Sequence, residues 1–476
     1  MRVAEPTVRR LATDEDRERP LCGWGRIAPS SARLRHVTRV EDVLEALSGT
    51  GPARAGLIAR GAGRCYGDAA QSAGGEVLDM RGLDRVVSLD RERLAVTAQA
   101  GVTIARLIAY LGSVGLTLPV VPGTRYVTVG GALASDVHGK GHHRDGGFGA
   151  HVEQFDLCVP GGGLLDVSRE NEPELFDATL GGMGLTGTVV QVRLAVEPLA
   201  SPWVAADLEK TGDLDETLAV LAGHERRRWS VAWLDLLAGR GAMGRALVSR
   251  ANPWPTTTPS SGRYRRGSRQ GAGGALSEDP LVGIPRRFPG GLLKPGLVRS
   301  FNAARWHAAP RAQLDRPVTL AGYFFPLDAL GSWNRLYGSQ GLVQYQFVVP
   351  LGQEGELVRC VELLRARRLP VYLAVLKRLG AGAAGALSFP IEGWTLALDI
   401  PAGVEGLRET LDDLDELVAG AGGRVYLTKD VRLRKDVLPV MYPKLDRFLA
   451  LRARIDPTGM LRSDLGARLG LCEATP

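Results

Sequence analysis

A tyrosine, a cluster of histidines and a lysine, each set close to glycine, are the residues of this chain that could do chemistry. Residues 116–143, LTLPVVPGTRYVTVGGALASDVHGKGHH, pack a Pro-Gly turn, Asp136, His138, Lys140, His142 and His143 between two apolar segments. Gly123, Gly130, Gly131 and Gly139 carry no Cβ, so the backbone there can come close to something large and polar. Upstream, residues 58–68, IARGAGRCYGD, follow an apolar strand-like run and repeat the device around Tyr66. Two glycine-rich cradles beside His, Tyr and Asp side chains point to an enzyme that holds a phosphate-bearing cofactor.

Other readings of the same residues weigh less. Two imidazoles four apart, His138 and His142, suit zinc on a helix face. Gly139 and Gly141 disfavour that helix, Lys140 stands where a metalloprotease wants Glu, and no Cys is near, so no metal is expected. GGMGLTG (181–187) holds a formal G-x-G-x-x-G, but a helix-like segment precedes it and a strand-like one follows. A nicotinamide fingerprint needs the reverse order. No G-x-x-x-x-G-K-[ST] occurs. Lys429, after strand-like RVYLT, would on its own read as a surface lysine.

The elements that must position these residues come from periodicity. VEDVLEAL (40–47), TIARLIAYLGSVG (103–115) and GLRETLDDLDELVAGAGG (406–423) have helical apolar spacing, the last ending on glycines. AGLIAR, RLAVTAQAG, TVVQVRLAVEP, LVQYQFVVPL, PVYLAVLKRLG and GWTLALDIP read as strands. The pattern breaks near Pro198, and 476 residues exceed one ordinary core, so two domains are expected. Residues 252–280, rich in Pro, Thr, Ser, Gly and Arg, read as a mobile loop within the second region.

Composition narrows the class. No apolar run is long enough to span a membrane, and the first residues lack a secretory h-region. Five scattered cysteines, never in a CxxC pair, fit a reducing cytosol. The net charge of +7 is mild and spread out, densest at RYRRGSR (263–269). We expect no nucleic-acid binding, and at most peripheral membrane contact.

With these segments in hand the chain resembles the vanillyl-alcohol-oxidase-type FAD flavoproteins, and within them the decaprenylphosphoryl-β-D-ribose 2′-oxidase group. The blocks that carry the resemblance are collinear and run through most of the chain. They are LCGWGRIAPS, RGAGRCYGDAAQ, VPGTRYVTVGGALASDVHGKGHH, LFDATLGGMGLTG, SVAWLD, PLDALGSWNRLYG, LVQYQFVVP, LSFPIEGW, GGRVYLTKD and MYPKLDRF.

The resemblance implies an α+β, two-domain fold of the vanillyl-alcohol-oxidase, PCMH type. Residues 1–200 and a C-terminal return, 424–476, would form the FAD domain. Residues 201–423 would form a substrate domain with an antiparallel sheet over the isoalloxazine. Its pyrophosphate loop falls on Arg60, Gly61, Ala62, Gly63, Arg64, Cys65, Tyr66 and Gly67. The second cradle falls on Gly123, Thr128, Val129, Gly130, Gly131, Ser135, Asp136, His138 and Gly139, with Val190 and Tyr426 completing the FAD site.

The implied chemistry is oxidation of a sugar secondary alcohol, the first half of a 2′-epimerisation that a separate NAD-dependent short-chain reductase completes. Lys429 would stabilise the alkoxide or a negative flavin, and Tyr66 and His138 would position the hydroxyl or relay its proton. Lys140, Trp233, Phe324, Gln344, Gln346, Lys377, Thr395 and Ala397 would line the substrate pocket, with the Lys377 amine suited to a phosphate. The chain departs from the group on this side: Ala397 replaces a cysteine, Thr395 an Asn, Phe324 a Tyr and Leu379 a Phe. The substrate is therefore expected to be a sugar or sugar phosphate, lipid-linked or not. Some relatives attach FAD through a His where this chain has Cys65; the nearest group does not, so FAD is expected to bind non-covalently. An aldonolactone or alditol oxidase using O₂, and a degenerate flavoprotein scaffold, are the alternatives. A cytoplasmic location is expected.

Overall fold

A computed structural model describes residues 18–49, 56–223, 227–239, 241–255, 280–285 and 293–473. Most of the expected loop, including its basic cluster, lies outside them. The architecture is α+β, and three sheets carry it.

The first sheet has four strands: β1 (Glu18–Leu21), β2 (Ser30–His36), β3 (Leu57–Arg60) and β4 (Glu76–Asp79). Its order is β1-β2-β4-β3, with β2 and β3 both parallel to β4. The turn that leaves β3 is the first glycine cradle. The chain's tail docks on the same strand: Leu57 N–H donates to Met460 O (2.8 Å), and Arg462 N–H to Leu57 O (2.9 Å).

The second sheet is antiparallel. It comprises β5 (Val86–Asp90), β6 (Ala95–Gln99), β8 (Val152–Val159), β9 (Gly163–Ser168) and β10 (Thr188–Ala195), while the short β7 (Leu116–Thr117) and β11 (Glu197–Pro198) pair separately. Alternation along β10, with Val190, Val192 and Leu194 buried, explains why the strand faces a core. The helix Ile104–Ser113 opens on Thr103, whose hydroxyl accepts from Arg106 N–H at 3.2 Å. The second cradle enters the helix Val129–Ala134 through Thr128 in the same way. The helix over His138 and His142 that Gly139 and Gly141 disfavour does not form; a single helical turn, His142–Asp145, begins only after Gly141.

The third sheet has eight strands, among them β12 (Trp203–Thr211), β13 (Trp229–Leu234), β14 (Ala246–Pro253) and β16 (Ala312–Thr319). A two-residue strand, β15 (Val282–Gly283), pairs instead with β17 (Leu330–Gly331). The large sheet is completed by β18 (Leu342–Pro350), β19 (Leu373–Leu379), β20 (Gly393–Pro401) and β21 (Arg424–Val425), in the order β16-β12-β14-β13-β19-β20-β18-β21. The segment after Arg424, read as a strand, extends for only two residues. It then turns, Lys429 N–H donating to Tyr426 O at 2.9 Å, and this turn presents the lysine.

Candidate active site

One deep cleft runs between the two cradles and the middle of the large sheet. Its cradle wall includes Gly61, Ala62, Gly63, Arg64, Cys65, Tyr66, Gly123, Thr128, Gly130, Gly131, Ser135 and His138. Its sheet wall includes Gln344, Gln346, Leu373, Val375, Lys377 and Ala397, closed by Tyr426, Thr428 and Lys429. The register of the strands explains the second set. Gln344 pairs with Asp399 and Gln346 with Ala397; Val375 also pairs with Ala397 and Lys377 with Thr395. Paired residues of neighbouring strands share a face of the sheet.

The cradle wall is built from backbone. The N–H groups of Ala62, Gly63, Arg64 and Cys65 donate to no group among the described residues. These residues are half-buried in the cleft wall, and four backbone N–H groups in succession left for an outside partner suit an anionic oxygen. Gly63 has φ +64°, which a side chain would strain, and nothing lies within 4 Å of where a Cβ on Gly123 would stand. A Cβ on Gly67 would run into the Asp430 carbonyl oxygen. That close approach is reinforced from the tail. The Arg468 guanidinium meets the Asp68 carboxylate at 3.0 Å and the Asp430 carboxylate at 2.9 Å. Tyr66 N–H donates to Thr428 O at 3.1 Å, so the loop carrying Tyr66 and the turn carrying Lys429 are fastened together.

The sheet wall is built from side chains. Lys429 Nζ stands 4.1 Å from the centre of the Tyr66 ring. Burial brings the Lys429 ammonium down to about 8 against the opposing pull of Asp399. Burial next to Asp399 holds the Tyr66 phenol well above its ordinary value, so it is neutral. His138 Nε2 lies 2.9 Å from Gln346 Nε2, which also donates to Thr395 Oγ1 at 3.1 Å. The amide is the donor, so Nε2 accepts and the ring proton sits on Nδ1, which has no partner among the described residues. Burial, with Lys377, His142 and Lys429 nearby, pushes His138 far below its ordinary value, and the imidazole is neutral. Its ring packs on Tyr426 (5.3 Å) and Phe389 (5.4 Å), which fixes its plane. Lys377 is brought to about 8 by burial and then by Lys429.

Ten of the residues expected at the site stand behind the cleft wall and not in it. Arg60 turns away and ties the loop to the carbonyls of Ala70 (3.0 Å) and Cys22 (2.8 Å). Gly67 packs on Asp430, Gly139 on the Val121 carbonyl, and Val129 and Val190 are core. Asp136 is buried, accepting from Gly149 N–H (2.9 Å) and the Ser388 hydroxyl. Thr395 is buried beneath Gln346. Lys140 donates to the Tyr323 carbonyl, and burial with Lys377 brings it to about 7. Phe324, lacking a hydroxyl, joins an aromatic cluster with Trp229 at 4.9 Å. Trp233 pairs with Val375 but lies under the Arg305 guanidinium, 4.8 Å from its ring.

Sequence reasoning missed several groups that the fold brings in. Trp24 lies 3.9 Å beneath the Arg64 guanidinium, and Trp333 packs on Trp24 at 6.0 Å. Asp328 lines the cleft, held by Thr124 Oγ1 (2.8 Å) and Arg125 N–H (2.9 Å). Asp399 accepts from Gln344 Nε2 at 2.5 Å, keeps Oδ2 unpartnered among the described residues, and is raised to about 6 by burial. Gly184 and Gly187, from the discarded G-x-G-x-x-G, do line the cleft. The helix Pro173–Thr179 precedes them and β10 follows, the order opposite to a nicotinamide fold.

Unpartnered amides on one wall and a lysine, a neutral histidine and amide side chains on the other suit a dinucleotide redox cofactor beside an alcohol. Residues 32–168 match the profile of an FAD binding domain. The class is thus that of FAD-dependent oxidoreductases acting on CH–OH groups. Decaprenylphosphoryl-β-D-ribose oxidase of Mycolicibacterium smegmatis is 36% identical over 462 residues, covering 95% of this chain and 97% of that one. An uncharacterised protein of Streptomyces coelicolor is 38% identical over 383 residues, 78% of this chain and 100% of its own. L-galactono-1,4-lactone dehydrogenase of Arabidopsis thaliana is 34% identical over 112 residues, 24% of this chain and 18% of that enzyme. The chain belongs to the decaprenylphosphoryl-β-D-ribose oxidase family.

Proposed function

We propose that the protein oxidises the secondary alcohol of a sugar phosphate to a keto sugar. The observation that carries this is the Lys429 ammonium 4.1 Å from the Tyr66 ring, in the cleft that the amides of Gln344 and Gln346 also line. FAD, when bound, supplies the acceptor for the hydride. The unpartnered amides of Ala62, Gly63, Arg64 and Cys65 would hold its diphosphate, and Tyr426 and Lys429 would stand at its flavin end. Cys65 in this cradle forms no bond to it in our reading.

The side chains divide the remaining work. Tyr66, held neutral, offers a hydroxyl to orient the substrate oxygen. His138 offers a neutral imidazole whose Nδ1–H has no partner among the described residues. Lys429 at about 8 exchanges between ammonium and amine near neutral pH. As an amine its Nζ takes the hydroxyl proton; as an ammonium it stabilises negative charge on the oxygen left behind. Lys377, a second buried cation on the same wall, suits the phosphate. We assign residues 1–200 and 424–476 to the cofactor unit and 201–423 to the substrate unit, although β21 bonds to β18 of the large sheet. A separate NAD-dependent reductase, in the cytoplasm, would reduce the keto sugar to the 2′-epimer.

Anaerobic mixing of the yellow holoprotein with a panel of phosphorylated pentoses tests the reading. Bleaching of the flavin band by at least one phosphorylated sugar is expected. Bleaching only by unphosphorylated aldonolactones or polyols would overturn it.

A further inference from the structure

Asp399 is a buried carboxylate that the division of work above leaves without a part. It is 1% exposed and sits opposite Gln344 in the pairing of β20 with β18. Paired residues share a face, so the carboxylate lies on the cleft side of the sheet but behind Gln344, whose side chain lines the cleft. Gln344 Nε2 donates to Asp399 Oδ1 at 2.5 Å, and Oδ2 has no partner among the described residues. Burial raises Asp399 to about 6, so at neutral pH it is a carboxylate, an acceptor with no proton to give.

That charge decides which way an amide points. A glutamine side chain has a donor end and an acceptor end of nearly equal size, and in a polar cleft either could face a ligand. Against a carboxylate only the NH₂ end is tolerated, because the reversed amide would set two oxygens together with no proton between them. The Gln344 carbonyl oxygen, Oε1, is thereby turned away from Asp399, and no group among the described residues donates to it. Gln346, two residues on and on the same face, spends its amide on His138 Nε2 (2.9 Å) and Thr395 Oγ1 (3.1 Å). Of these acceptors Asp399 alone is charged.

The same carboxylate faces the reacting groups. After burial it is what raises the Tyr66 phenol most, a rise that a hydrogen-bond contact from Gln344 opposes. Burial lowers Lys429, and Asp399 pulls it back up. Asp399, Gln344 and Tyr66 thus form a row that ends beside Lys429, whose Nζ is 4.1 Å from the Tyr66 ring.

We infer that Asp399 is a positioning residue: it holds the Gln344 carbonyl oxygen toward the cleft, where that oxygen accepts a hydrogen bond from the sugar hydroxyl next to the one oxidised. The inference rests on the proposed oxidation of a sugar alcohol in this cleft. A hydroxyl has one proton, and the reacting hydroxyl gives its own toward Lys429, so the carbonyl is left for the neighbouring hydroxyl. The substrate class this selects is a sugar phosphate with two adjacent free hydroxyls. A sugar lacking the second one leaves the carbonyl oxygen unpaired in a water-poor cleft.

Two measurements on the FAD-loaded full chain test this. In the ligand-free protein the Gln344 side-chain amide, identified by its loss in Gln344→Glu, should give one downfield, slowly exchanging proton in its NMR spectrum. Asp399→Asn should move it upfield and speed its exchange, a neutral acceptor holding it less tightly. This needs no substrate, so its failure would overturn the inference and leave the proposed function standing. In the second measurement, flavin reduction by ribose 1-phosphate is compared with reduction by its counterpart bearing fluorine in place of the hydroxyl next to the reacting one. Fluorine fills the same place and donates no hydrogen bond. The parent should prefer the hydroxyl sugar by more than about tenfold in kcat/KM, mostly through KM. Asp399→Asn should cut that ratio below about threefold, since a freed Gln344 can turn its NH₂ to the ligand, and Asp399→Glu should restore part of it. A role confined to packing would slow both sugars alike. An unchanged ratio in Asp399→Asn would therefore overturn the inference, as would a Gln344 amide in the parent that exchanges as freely as one on the surface.

Discussion

The two walls of the cleft are made of opposite materials. The cradle wall offers backbone N–H groups, fixed by glycine turns and by ion pairs behind them. The sheet wall offers side chains whose charges are unsettled by burial: Lys377 and Lys429 near 8 and Asp399 near 6. Backbone amides do not titrate and their positions are set by the fold, which suits a cofactor that stays. Amines poised near neutrality change state during a reaction, which suits a substrate that is transformed.

Breaking the cradle wall should have the largest effect. Gly67→Val puts a branched Cβ into the Asp430 carbonyl and forces the Tyr66 loop from the Lys429 turn. Colourless protein after gel filtration is expected, the FAD being lost. A yellow variant with parental flavin content would show that the close approach of the two loops is dispensable.

Lys429→Ala removes the central charge of the other wall and leaves the amides intact. Flavin content should hold while the rate of substrate-dependent flavin reduction falls by about 10²–10³, the loss typical of one preorganised stabilising group. Rapid-mixing spectroscopy measures it; a rate within threefold of the parent would return Lys429 to a packing role.

Arg468→Met probes the fastening between the walls. It leaves Asp68 and Asp430 facing each other without their shared cation. Asp430 Oδ1 still accepts from Arg432 N–H and Leu433 N–H, so the turn should survive in a looser form. We expect reduction slowed about tenfold with flavin retained, partly rescued by Arg468→Lys, because misplacing a catalytic group by a fraction of an ångström costs rate before binding. Equal reduction rates in parent and Met variant would confine Arg468 to the tail.

The contrast between the walls also explains what could be read from the sequence. A backbone site announces itself locally: glycines cluster because no other residue fits, so the cradles and Tyr66 stood out before any fold was known. Asp399 gave no such signal. In GWTLALDIP it is one polar residue in an alternating strand, and its meaning comes from its pairing with Gln344 across β18. Arg468 and Asp68 lie 400 positions apart and are joined only by the docking of the tail. Lys140, Trp233 and Phe324 show the converse: right segment, but a side chain turned one layer back by Tyr323, Arg305 and Trp229. Strand periodicity gives a face, while depth within that face depends on what packs against it.

The smallest effect concerns stability, and it separates the walls most cleanly. Lys377 is drawn down from 10.5 to about 8, first by burial and then by Lys429. A lysine depressed in the folded state binds its proton less readily there than in the unfolded chain. Its favourable contribution is therefore present above the unfolded value of 10.5 and lost as the pH falls through about 8. At pH 7 the folded protein holds an ammonium it has poorly solvated, beside another ammonium. Lys377→Met keeps the length of the side chain and removes that charge, so the ligand-free protein should melt about 1–3 °C higher at pH 7. The gain should shrink as the pH rises from 8 toward 10.5, where the parental amine is neutral as well. The same variant should need more sugar phosphate for half-maximal bleaching, because the cation that destabilises the empty cleft is the one that would meet the phosphate. Melting curves at pH 7 and pH 10 decide it. A gain equal at both would place its origin in packing, and a loss at pH 7 would show that Lys377 is solvated and that the sheet wall does not hold its charge under strain.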